Sequence, residues 1–89
     1  MHRVHVVIQG QVQGVGFRYF ILRRAESLRV NGWVRNLDSG EVEIEAEGDR
    51  AALDALVAAA GVGPAAAHVT RVEATWSESP ARHSRFAAR

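Results

Sequence analysis

Residues 10 to 18 read Gly-Gln-Val-Gln-Gly-Val-Gly-Phe-Arg, a combination of glycines and one arginine that can hold an anion. Glycines allow positive φ and put no Cβ in the way, so successive amides can turn toward one point. If a helix begins there, its unpaired N–H groups and the positive end of its dipole meet at the same point, and phosphate suits it. Arg18, in the first turn of that helix, adds a planar, permanently charged fork for phosphate oxygens. The candidate cradle is therefore Gln13, Gly14, Val15, Gly16, Phe17 and Arg18. It fails two better-known phosphate patterns: it lacks a Gly-Lys-Ser/Thr ending, and Tyr19 stands where a dinucleotide fingerprint begun at Gly14 needs its third glycine. A Gly-X-Gly turn can equally be no more than a tight connection, so the loop alone does not decide the matter.

Few other residues could react with a bound phosphoryl group. Ser27, Ser39, Ser77, Ser79 and Ser84 have no base at a persuasive spacing. The absence of cysteine excludes disulfides, thiolate metal sites and cysteine nucleophiles. His2 and His5 fall on opposite faces of a strand pattern, and His68 and His83 begin and follow the last one, so no metal set or catalytic pair assembles. What remains is Arg18, the loop amides and Asn36. A neutral amide does not usefully accept a proton near neutral pH, but it can orient a water in line with phosphorus. Such a site needs an easy leaving group. The carboxylate of a carboxyl–phosphate mixed anhydride is one, because it departs without general-acid help, leaving positioning and electrostatics to carry the catalysis.

The elements that must position these residues follow from the pattern. Val4, Val6 and Ile8 alternate with more polar positions and predict a strand from about Arg3 to Gln11. Phe17, Phe20, Ile21, Ala25 and Leu28 recur at helical spacing and predict a helix over Phe17 to Leu28, with Arg23, Arg24 and Glu26 on its solvated face. Val30 to Asn36 reads as a second strand, and Leu37-Asp38-Ser39-Gly40 as a hairpin turn. In Glu41 to Glu47, Val42, Ile44 and Ala46 point one way and four glutamates the other, predicting a wet sheet face rather than a metal ladder. Asp49 is placed to cap a helix whose Leu53, Leu56, Val57 and Ala60 face inward and which Gly61 ends. After a small-residue loop through Ala67, Val69 to Trp76 reads as a strand. Ser77 to His83 is expected to be exposed and mobile, and Ser84 to Ala87 to add a short edge pairing through Phe86.

The order strand, helix, strand, strand, helix, strand, with one wet sheet face, predicts an α+β, ferredoxin-like βαββαβ sandwich: a four-to-five-stranded antiparallel sheet with two helices on one face. A right-handed crossover makes the first two strands parallel with the third antiparallel between them. Asn36 and the glycine loop then lie at the same sheet edge.

Composition sets the outer bounds. The 89 residues make one domain, 1–89, with 47% hydrophobic and 24% charged residues, ordinary values for a soluble globular chain. The net charge of +1, with arginines scattered along the chain, argues against a dedicated nucleic-acid binder. No signal-peptide pattern or membrane-length apolar run is present, so the expectation is a cytoplasmic monomer without membrane attachment.

The run from Gly10 to Arg18, together with Gly32-Trp33-Val34-Arg35-Asn36 and Gly40-Glu41-Val42-Glu43, resembles the acylphosphatase family, in order and over nearly the whole chain. The resemblance implies the fold argued above and hydrolysis of acylphosphates to a carboxylate and inorganic phosphate. It also implies phosphate binding by Arg18 and the preceding loop amides, a water positioned by Asn36, and no metal or organic cofactor. Two departures stand out. Arg29 follows Leu28 where members usually have glycine, predicting a shifted helix end, and Phe86-Ala87-Ala88-Arg89 lacks the longer apolar tail of many members. Two other readings belong to different classes. Gly14 to Phe20 superficially resembles the aromatic motif of RNA-recognition domains, but those stack bases on strand aromatics, whereas here the aromatics begin a helix and the sheet face carries glutamates. The other is a non-catalytic phosphate- or acylphosphate-binding module of a larger system.

Overall fold

Alternation at Val4, Val6 and Ile8 builds the central strand β1 (His2–Gln11), with all three side chains buried. The computed structural model describes all 89 residues. The remaining elements are α1 (Phe17–Leu28), β2 (Asn31–Asn36), β3 (Val42–Gly48), α2 (Arg50–Val62), β4 (His68–Glu78) and β5 (Phe86–Ala88). The sheet order is β4-β1-β3-β2-β5, with β3 antiparallel to both β1 and β2, as the split βαβ reading requires. β5 runs parallel to β2, so the five-stranded sheet is mixed and not wholly antiparallel. The cause is topological: the chain returns from β4 across the open sheet face before reaching the edge.

One face of the sheet is packed by both helices. α1 lies on β2 and β5, α2 lies on β1, β3 and β4, and the helices touch each other. Phe17, Ile21 and Ala25 of α1 and Leu53, Leu56 and Ala60 of α2 meet Val34, Val42, Ile44 and Ala46 in one core. Such burial removes about 1.5–3 kcal/mol of unfavourable exposure per large side chain.

Three boundary expectations change. α1 ends at Leu28 without shifting, because Arg29 itself adopts the left-handed conformation (φ 58°, ψ 39°). Val30 N–H then reaches Ala25 O at 3.1 Å and Arg29 N–H reaches Glu26 O at 3.2 Å, the pair of bonds that a glycine usually permits. α2 continues through Gly61 to Val62 and stops at Gly63, whose N–H donates to Ala59 O. Asp49 occupies the N-cap position of α2 but makes no side-chain capping bond.

The glutamate face is not uniformly wet, and residues 77–83 are not a free segment. Glu47 is 1% exposed. Its Oε1 accepts the N–H groups of Arg82 and His83 at 2.8 and 2.7 Å, and its Oε2 accepts Arg3 Nη2 at 3.0 Å. Arg3 also donates to Pro80 O, and His83 Nε2 lies 2.6 Å from Glu45 Oε2. The segment after β4 is thus a strap tied down over the open face. A glutamate buried this way is tolerated because its charge is paired and its oxygens are hydrogen-bonded.

Candidate active site

The cradle is hung between two buried anchors. Val12 and Phe17 are 1% and 2% exposed, while Gly14, Gly16 and Arg18 between and beside them face solvent. Gly14 and Gly16 both take positive φ, 74° and 81°, and Gly16 is the N-cap of α1. Two left-handed residues separated by one other turn neighbouring amides toward the concave side of the loop. No backbone hydrogen bond is donated by the N–H of Gln13, Gly14, Val15, Gly16, Phe17 or Arg18; the first bond of α1 runs from Phe20 N–H to Gly16 O at 3.0 Å. Six consecutive amides are left unspent at the positive end of a twelve-residue helix.

Gln13 fixes this loop against the β2–β3 hairpin. Its Nε2 donates to Leu37 O at 2.7 Å and to Glu41 O at 2.9 Å, while Leu37 N–H and Glu41 O close the hairpin itself at 2.8 Å. The side chain is therefore spent on structure, which residue type and spacing alone did not reveal. Its backbone amide remains with the cradle.

Arg18 is tied through Arg89, just past β5, to the strand that ends in Asn36. Arg18 Nη1 donates to the backbone oxygen of Arg89 at 2.9 Å, and Arg89 N–H donates to Val34 O at 2.8 Å, two residues before Asn36. One of the five guanidinium donors is thereby engaged and the planar fork is held toward the end of β2. Asn36 is the last residue of β2, half-buried, and opposite Val42 in the β2–β3 ladder. Unlike Gln13 and Asn31, whose carboxamides bond to carbonyls of the hairpin and of His83, Asn36 makes no such use of its own.

The titratable groups nearby are paired among themselves. Burial alone would raise the Glu43 carboxyl, but hydrogen bonds from His5 and Arg35, with the Arg35 charge, outweigh it and hold the group below the usual carboxylate range. Glu41, half-buried, is lowered by hydrogen bonds from the Gln9 carboxamide and Ser39 hydroxyl. These carboxylates stay ionised near neutrality and are poor proton acceptors. His5 and His83 reach the glutamate ladder, but as pairs with Glu43 and Glu45; no three potential ligands converge.

Known proteins share this arrangement of chain. A family model described as Acylphosphatase matches residues 4–88. An acylphosphatase from Thermococcus kodakarensis is 53% identical over 76 residues, which is 85% of this chain and 84% of that protein. The crystal structure of acylphosphatase from Bacillus subtilis superimposes with a TM-score of 0.95 at 42% identity, covering 99% of this chain and 98% of that one. An acylphosphatase structure from Coxiella burnetii gives 0.91 at 37% identity, covering 98% and 90%.

Proposed function

Because the chain belongs to the acylphosphatase family and hydrolyses acylphosphates to a carboxylate and inorganic phosphate, we propose that the amides of Gln13 to Arg18 and the Arg18 guanidinium hold the phosphoryl group while Asn36 orients the attacking water. The observation that carries this reading is the set of six amides without backbone partners at the start of α1, with Arg18 in its first turn. These donors match a dianionic phosphoryl group and are fixed before it arrives, so their electrostatic benefit is available without reorganisation.

The step balances without a protein base. The water oxygen bonds to phosphorus as the bond from phosphorus to the acyl oxygen breaks, and the electron pair leaves with the carboxylate. Both protons of the water remain on the phosphate, so the dianionic acylphosphate and water give a carboxylate and dihydrogen phosphate. In a loose transition state little nucleophilic push is needed, and orientation by a neutral amide suffices. The same reading makes the protein a monomer acting in the cytoplasm on small acylphosphates without a metal; no helix is long and apolar enough to cross a membrane.

The test is hydrolysis of benzoyl phosphate at neutral pH in excess EDTA, with p-nitrophenyl phosphate as control and Arg18→Ala alongside. Rapid turnover of the anhydride only, lost in the variant, is expected. Turnover undiminished in Arg18→Ala overturns the assigned clamp.

A further inference from the structure

All eleven basic side chains other than histidine are arginines. Arg3, Arg35, Arg50 and Arg71 are held by carboxylates. Arg82, Arg85 and Arg89 have no carboxylate partner, and the three exposed side chains line one groove of about 440 Å³ over Gly32. No acidic residue lines it, and His83, its only other titratable group, lies against Glu45.

The groove is built rather than incidental. Pairing with β2 buries Phe86, so Arg85, Ala87 and Arg89 alternate to the opposite, open side of the sheet. The backbone that carries the three arginines is pinned at both ends: Arg82 N–H on buried Glu47, Gly32 N–H on Arg85 O at 2.9 Å, and Arg89 N–H on Val34 O. The Arg89 guanidinium lies over the Trp33 ring, 5.1 Å from its centroid, which restricts its direction. The backbone oxygen of this same Arg89 receives Arg18. The cationic strip thus starts just past β5 at Arg89, whose backbone oxygen receives Arg18, and runs back on the open face to Arg85, just before β5, four residues or roughly 13 Å away.

We propose that this strip is a subsite for the acyl end of the substrate, selecting acylphosphates whose acyl group carries a second carboxylate or phosphate, with Arg89 as the first contact and Arg85 behind it. The proposal rests on the assignment of Arg18 as the phosphoryl clamp. In-line attack fixes only the bridging oxygen. Torsions beyond the acyl carbon let a chain of several bonds turn along β5, where bidentate guanidinium contacts match a planar carboxylate or a phosphate. A neutral acyl group gains nothing from the strip and leaves the arginines in water.

The experiment compares kcat/KM for succinyl phosphate and butyryl phosphate, which have acyl chains of equal length and differ by a terminal carboxylate. The wild-type enzyme is expected to favour succinyl phosphate by about tenfold, and Arg85→Gln and Arg89→Gln each to reduce that ratio several-fold toward unity. Arg24→Gln, which removes an exposed α1 arginine stacked on Phe20, controls for general charge and leaves the ratio unchanged. Good turnover of butyryl phosphate with a wild-type ratio near one, or a ratio that Arg24→Gln lowers as much as Arg85→Gln does, overturns the subsite while leaving the clamp standing. Failure of the clamp shows differently, as butyryl phosphate turnover that Arg18→Ala does not diminish.

Discussion

Arg18 and Asn36 carry different parts of the proposed chemistry, and their substitutions should separate cleanly. Arg18→Ala removes charge and fork from the phosphate, so KM for benzoyl phosphate rises and inhibition by inorganic phosphate weakens. Asn36→Ala leaves phosphate binding in place and costs on the order of 10² to 10³ in kcat, the size of effect seen on losing one preorganised polar group. Steady-state kinetics on both variants checks the division, and equal wild-type and Asn36→Ala rates would refute the role of Asn36. Gln13 acts at one remove, through its bonds to Leu37 and Glu41 carbonyls. Gln13→Ala should cost about 1–2 kcal/mol of stability and raise KM by letting the loop drift, measurable by urea denaturation and by kinetics. The placement of Arg18 in a first helical turn and of Asn36 at a strand end was legible in the sequence because a helix start after two glycines and a strand end are both local signals. The work of the Gln13 side chain was not, because its partners lie 24 and 28 residues away.

At the scale of elements, α1 is bounded as its periodicity predicts, yet its end holds stored strain. An arginine in the left-handed region costs about 1–2 kcal/mol relative to glycine, and Arg29 bears that cost at φ 58° to close the helix. Arg29→Gly should therefore raise stability by roughly 1 kcal/mol after the greater freedom of glycine in the unfolded chain is deducted, with kcat unaltered; chemical denaturation gives the answer. The sequence showed the departure but not its resolution, since whether a chain shifts a helix end or tolerates the strain depends on what pins it. Here Val30 is buried and its N–H is bonded back to Ala25, so a shift would break both. The strap was the least legible element. Residues 79–83 carry no periodicity, and they are tied down through Glu47, which the alternation in β3 placed correctly on the open face without revealing that the face is covered.

For the molecule as a whole, that covering links stability to pH. Burial alone would push the Glu47 carboxyl up, but the His83 N–H, the Arg3 guanidinium and the Arg82 N–H together hold it below its ordinary value. A group depressed on folding contributes stability that is complete above its unfolded pKa, near 4.3, and is lost as pH falls through its folded value. Acid unfolding should therefore set in below about pH 4 and become flatter in Glu47→Ala, a variant already destabilised by about 3–5 kcal/mol because Arg3 is left buried and unpaired. Denaturation curves between pH 2 and 7 would show both effects. The fold was largely readable because hydrophobic alternation and helical spacing are local. The parallel edge strand β5 and the anchored strap were less so, because both depend on contacts made only after the sheet has formed.

The central claim is that the free amides at the start of α1 are the phosphate site, and amide-resolved NMR during titration with inorganic phosphate tests it most directly. Saturable shifts concentrated on the N–H signals of Gly14 to Arg18, weakened in Arg18→Ala and displaced by competing substrate, are the predicted result. Phosphate-induced shifts located elsewhere, in a protein that still hydrolyses benzoyl phosphate, would contradict it.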